Sequence, residues 1–162
     1  MSAGAIVPPN ISARPTDNDE QVETMAELAQ ALVLLLLGGM LFFPIVVAPV
    51  VFVALPAAEA GTFLRAMFPR YYLFMIALSL AAGALYQIGH GPGYSLTAST
   101  CLGVGLSTLW VRQWLLPRIN AARDAQLAGD ETAGRRFDRD HKLSVVINIL
   151  QLLVLVAMLV TR

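Results

Sequence analysis

Four polar side chains recur along the last apolar stretch of the chain: His141, Ser144, Asn148 and Gln151. Their offsets of 0, 3, 7 and 10 put them, at about 100° per residue, on one helical stripe about 80° wide. Polar groups in hydrocarbon are costly unless they face other helices or water, so the stripe is expected to face the inside of a bundle. Arg112 ends another apolar run, at a depth expected between His141 and Asn148, and Asn120 and Asp124 follow it on the same helix. One chemistry for this set is a polar pocket, opening at one end of the bundle, that binds an anion, a metal or a polar head group. Arg112 would then lie within hydrogen-bond or water-bridge reach of the stripe or of Asp138. The other reading is structural: Asn148 and Gln151 fasten helices together, and Arg112 snorkels to phosphates.

The two histidines raise a haem or copper reading. His90 falls in one turn and His141 near the opposite end of the last apolar run, about one bilayer core (~30 Å) apart. They cannot share an ion, because metal–nitrogen bonds are ~2 Å. Pairing one histidine with Met67 or Met75 remains, against the ordinary packing role of methionine. The sequence holds no Cys pair, no His-x-x-His, no Glu-x-x-His, no Ser/His/Asp set and no phosphate loop. No carboxylate lies deep in an apolar run. These features argue against a proton-coupled transporter or an intramembrane protease, so no enzymatic activity is expected, and the residues name no cofactor.

The elements that must hold these side chains follow from where charges interrupt the sequence. Charges separate four uncharged runs: Leu28 to Ala58, Tyr71 to Gly89, Gly91 to Val111, and Leu143 to Thr161. Each reaches the ~18 residues that mark a membrane-spanning helix, and a helix satisfies its own backbone groups where lipid cannot. None alternates polar and apolar residues as a barrel strand would. The 162 residues are 57% hydrophobic and 14% charged with zero net charge, which excludes a disordered chain and leaves no basic excess for nucleic acid. The single cysteine, Cys101, excludes a disulfide scaffold. The expected fold is all-α: an antiparallel four-helix membrane bundle, residues 23–162, with spans over about 28–55, 71–89, 94–116 and 143–161. A helical hairpin over 117–142 turns at Gly129-Asp130 and projects into the water.

Further local expectations follow. Residues 1–22, with Pro8, Pro9 and Pro15, read as a disordered external tail. Their acidic character, continued by Glu23 and Glu27, opposes a secretory signal. Pro44 and Pro49 are expected to bend the first span and open room for the polar stripe of the fourth. Ala57 to Phe68 reads as a separate amphipathic interfacial helix, with Pro69 in the first turn of the second span. Ser79 with Gly83 and Ser99 with Gly103 are small pairs that would let the second and third spans approach closely. Basic residues divide nine to two between the two sides. By the positive-inside rule the basic loops are cytoplasmic and both termini external, in a bacterial inner membrane.

Several segments carry a resemblance. Phe42-Phe43-Pro44, Ala48-Pro49, Val51 to Pro56 and Met67-Phe68-Pro69-Arg70-Tyr71-Tyr72 look like the first half of the transmembrane-protein-205-like family. Downstream, so do Arg112, Leu116 to Asn120, Phe137 to Ser144, Asn148 and Gln151. Together these cover about residues 28 to 160 in order. The resemblance implies a four-helix integral membrane protein of unestablished activity. The chain is more distantly similar to four-span copper-resistance and haem-membrane proteins, which rely on ligands in the bundle that this chain has only sparsely. Its loop between the third and fourth spans is much shorter than in eukaryotic-type members. The functions in view are therefore a scaffold or a component of metal or solute homeostasis, a haem- or metal-binding redox protein, and a subunit that binds lipid or a polar solute for transport. The expected partners are the lipid bilayer and either a second copy or another membrane protein.

Overall fold

A computed structural model describes residues 17–90 and 95–161, and these are helical almost throughout, with no strand among them. Helix α1 (Asp17–Phe42) passes through a π-helical segment (Phe43–Val47) into α2 (Ala48–Ala54). After Pro56 comes α3 (Ala57–His90), and then α4 (Leu96–Trp110), a second π-helical segment (Val111–Leu115), α5 (Leu116–Leu127) and α6 (Glu131–Val160). Three helical rods, Asp17–Ala54, Ala57–His90 and Glu131–Val160, are 38, 34 and 30 residues long and apolar enough to cross a membrane. The region expected as the third span is α4, 15 residues of α-helix. Its helical backbone continues through the 5-residue π segment into α5.

The first helix begins at Asp17, inside the expected tail, of which residues 1–16 lie outside the described residues. Asp17, Asp19 and Glu20 occupy its first turn, where negative charge is favoured by the helix dipole. The two prolines do interrupt the first span. Pro44 and Pro49 cannot donate to Met40 and Ile45 in α-helical register, and between them the Ala48 N–H bonds the Phe43 carbonyl five residues back. A π turn of this kind is a common way for a helix to absorb missing donors. The adjoining space is filled by rings rather than left for the polar residues of α6. Phe43 lies 5.3 Å from Phe68 and 4.8 Å from Tyr71, centroid to centroid.

Ala57 to Phe68 does not form a separate interfacial helix. It is the first third of α3, with Pro69 inside the helix. The proline removes the donor for the Arg65 carbonyl, and arginines brace the same turn. Arg70 donates to the Ala66 carbonyl at 2.6 Å, and Arg112 of the next helix donates to the Pro69 carbonyl at 3.2 Å. At ~1.5 Å per residue α3 is about 51 Å long, well beyond a ~30 Å hydrocarbon core.

The helices pack antiparallel in sequence order, each contact fixing the register. A Cβ on Gly39 would fall 2.6 Å from the Phe74 ring of α3. Between α3 and α4, Gly83 sits against Leu102 and the Ala98 carbonyl, and Gly105 against Leu80 and Ser79. The expected pair Ser79 and Gly83 therefore does face α4. On α4 the small residue is Gly105 rather than Gly103, whose Cβ position has nothing within 4 Å. Cys101 Sγ meets Met158 Sδ at 3.9 Å across to α6. The core is apolar, with Val33, Leu36, Met40, Met75, Cys101 and Leu155 all at most 1% exposed.

Helices α5 and α6 form a helical hairpin that turns at Gly129-Asp130. Gly129, at φ 100°, ends α5 in the left-handed conformation that glycine adopts readily. The bonds Asp130 N–H to Ala125 O (3.0 Å) and Gly129 N–H to Gln126 O (3.1 Å) close the turn, a Schellman pattern. Asp130 then caps α6, accepting from the N–H groups of Thr132 and Ala133. The Thr132 hydroxyl, more than any other group, holds the Asp130 carboxyl below the usual aspartate range, helped by those N–H groups and Arg136. A depressed folded pKa contributes stability that is full above the unfolded value and lost as pH falls through the folded one. The first turn of α6 is thus expected to lose amide protection at Thr132 and Ala133 below about pH 4, the ordinary aspartate value. Asp130→Ala should remove that pH dependence in hydrogen exchange. A parent whose protection does not change over this range would contradict the assignment.

Candidate functional site

Burial on α6 defines an inward seam: Ala133, Asp140, Ser144, Gln151, Leu155 and Met158 are buried. At about 100° per residue these fall within about 60° of one another, from about −40° to +20° when Ser144 is set at zero. Asn148 lies at about +40° and His141 at about +60° on the same scale. The structure follows this order, with Asn148 half-buried and His141 exposed. The expected stripe is therefore rotated. His141 leaves it and stacks on Phe137 with centroids 5.6 Å apart and planes 1° from parallel. Arg123 lies over the other participant, 5.4 Å from the Phe137 centroid. Asp140, not singled out in the sequence, takes the inward place.

Gln151 is the fastener between α6 and α4. Its Nε2 donates to Ser107 Oγ at 2.8 Å and Thr108 Oγ1 at 3.1 Å, and reaches the Val104 carbonyl at 3.5 Å. Ser144 donates to the His141 carbonyl at 2.7 Å on its own helix. Asn148 Nδ2 reaches Met75 Sδ at 3.8 Å. The side chains of Tyr71 and Tyr72 lie beside Asn148 and Ser144 respectively. The two tyrosines are thus part of the polar layer. Replacing Gln151 with leucine is expected to change stability little, by about 0.6 kcal/mol, the average for such interhelical contacts. A thermal melt in detergent that falls as far as in a core-cavity variant would refute this.

Arg112 does not join the stripe. It is half-buried, and its Nε donates to the Pro69 carbonyl of α3. Helical phase accounts for the direction: Arg112 lies seven residues, about 20° at 100° per residue, from Gly105, which faces Leu80 and Ser79 of α3. Asn120 is half-buried on α5, and no hydrogen bond among the described residues ties it to Arg112 or to the α6 seam. Asp124 pairs with Arg65 of α3 at 2.6 Å, latching the water-side end of α3 to α5.

Asp140 is the one buried carboxylate among the described residues, 4% exposed. Arg118 Nε lies 3.4 Å from one of its oxygens, and Arg139 reaches the other at 2.9 Å. Among the described residues no buried side-chain nitrogen or oxygen lacks a partner. Among the described residues no group of three His, Cys, Asp or Glu is placed to hold a metal ion. His90 ends α3, at the opposite end of the bundle from the start of α6.

Length, hydropathy and packing thus define an all-helical membrane protein whose buried polar side chains bond within the protein, many of them to carbonyls of their own helix. Residues 31–127, more than half of the chain, match the family described as a domain of unknown function, DUF4149, and the chain belongs to that family. Comparison with curated proteins and with solved structures gave no match.

Proposed function

We propose that this protein is a non-enzymatic integral membrane protein of the bacterial inner membrane and acts as a scaffold. Its helical hairpin of α5 and α6 offers a cytoplasmic platform to a membrane-protein partner. The observation that carries this reading is the contrast between the two parts of the molecule. Inside the bundle the polar side chains are engaged within the protein, Gln151 with Ser107 and Thr108 and the buried hydroxyls with carbonyls of their own helices. At the hairpin tip Leu127 stands 70% exposed on a platform latched by Arg65 and Asp124. In this reading α4 with its π segment is the third of four spans, and the termini are external. The nine-to-two division of basic residues supports that orientation. The membership in an uncharacterised family is in keeping with the resemblance to the transmembrane-protein-205-like proteins, which forms part of this proposal.

The test is photo-crosslinking in living cells from position 127, with the exposed bundle position 153 as control. A discrete adduct from 127, absent from 153 and lost in an Arg65→Ala, Asp124→Ala variant, is expected. Equal or absent adducts at the two positions would refute the scaffold. Orientation is checked separately in a Cys101→Ser background: His90→Cys should label from outside and Leu127→Cys should not. Stoichiometric metal, or a Soret band in the purified protein, would replace the scaffold with the redox reading.

A further inference from the structure

Arg112 and Arg70 occupy one level of the bundle. From Ser95 to Arg112 the chain climbs about 26 Å, and from His90 back to Arg70 about 30 Å, at ~1.5 Å per residue. Both therefore stand about one hydrocarbon thickness from the shared connection end of α3 and α4, where headgroup phosphates lie. Trp110 and Trp114 flank Arg112 in sequence and are 48% and 67% exposed, as residues of an interfacial aromatic belt are.

Each guanidinium is anchored by one nitrogen to a carbonyl of the same α3 turn: Arg70 to Ala66 and Arg112 to Pro69. Neither has a carboxylate partner among the described residues, whereas Arg65, Arg118, Arg136 and Arg139 each do. The Pro69 carbonyl holds Nε of Arg112 and leaves its two terminal nitrogens as a free donor edge. That planar edge matches the two oxygens of a phosphate, which arginine binds bidentately. Arg135, by contrast, is exposed on the first turns of α6, roughly two turns beyond Lys142 on the water side.

We propose that the edge between α3 and α4 binds the phosphate of an anionic phospholipid, with Arg112 as the fork and Arg70 as a second charge. Depth and the flanking tryptophans select a lipid over a soluble phosphate. The site lies apart from the hairpin platform and holds whether or not that platform takes a partner.

Native mass spectrometry of the full chain, supplied with phosphatidylglycerol, phosphatidylethanolamine or glycerol phosphate, tests this. The parent is expected to retain one phosphatidylglycerol in preference to phosphatidylethanolamine, with no competition from glycerol phosphate. Arg112→Gln should weaken retention about tenfold, the equivalent of one charge-assisted hydrogen bond. Arg112→Lys, which keeps the charge without the fork, should also weaken it, and Arg135→Gln should not. If Arg112→Gln does not fold, Arg70→Gln carries the test, because Arg70 is exposed and its loss should lower retention too. The proposal fails if the parent shows no preference, if glycerol phosphate competes, or if Arg135→Gln loses as much as the variant under test. Full retention in Arg112→Gln, or in Arg70→Gln where it carries the test, also overturns it.

Discussion

Replacing Gly83 by valine is expected to destabilise the bundle by about 1–3 kcal/mol, the usual range for forcing extra carbon into a packed interior. A Cβ there would lie 2.8 Å from Leu102 Cγ, 2.9 Å from its Cδ2 and 3.1 Å from the Ala98 carbonyl. The leucine can turn aside only in part, and the carbonyl belongs to the backbone of α4. The helices would have to separate, because α3 and α4 pack closely around their small residues. Gly103→Ala is the matched control. Nothing lies within 4 Å of its Cβ position, and alanine favours a helix interior over glycine by about 0.5–1 kcal/mol. Thermal melts in detergent should therefore move in opposite directions for the two variants. If Gly103→Ala were as damaging as Gly83→Val, the face of α4 would be assigned wrongly.

The second large effect concerns Asp140. Removing both arginines, Arg118→Ala with Arg139→Ala, is expected to cost about 3 kcal/mol, the lower end for a buried charge left without its partner. The lower end applies because the two arginines are 62% and 66% exposed, so water already screens the pair. Asp140→Asn should cost much less, since it removes the buried charge and leaves arginines that water can solvate. The order of the two melts is the test. A greater loss in Asp140→Asn than in the double variant would mean that the carboxylate contributes through some contact other than its arginines.

The reading of membrane-spanning helices rests on features local to the chain. Long uncharged runs require helices in lipid because only a helix pairs its own backbone groups there. The turn at Gly129-Asp130 was legible for the same kind of reason: glycine and a capping aspartate act within a few residues of themselves. Pro44 and Pro49 similarly announced an interruption, because a missing N–H is a property of the residue.

What tertiary structure decided is which way side chains point and where a helix stops. Pro69 reads locally as a helix start. In the bundle α3 continues through it (Ala57–His90), braced by a guanidinium from the next helix that no local rule supplies. Hydropathy does not say which neighbour Arg112 meets; the packing that sets the Gly105 face of α4 against α3 takes Arg112 with it. On α6 the sequence alone grouped His141 with Ser144, Asn148 and Gln151, because those four are polar and share a stripe. Polarity does not determine the centre of a buried seam. The neighbours on α4 and α5 do, and they set it between Gln151 and Ser144, so that Asp140 faces its arginines and His141 turns out to stack on Phe137.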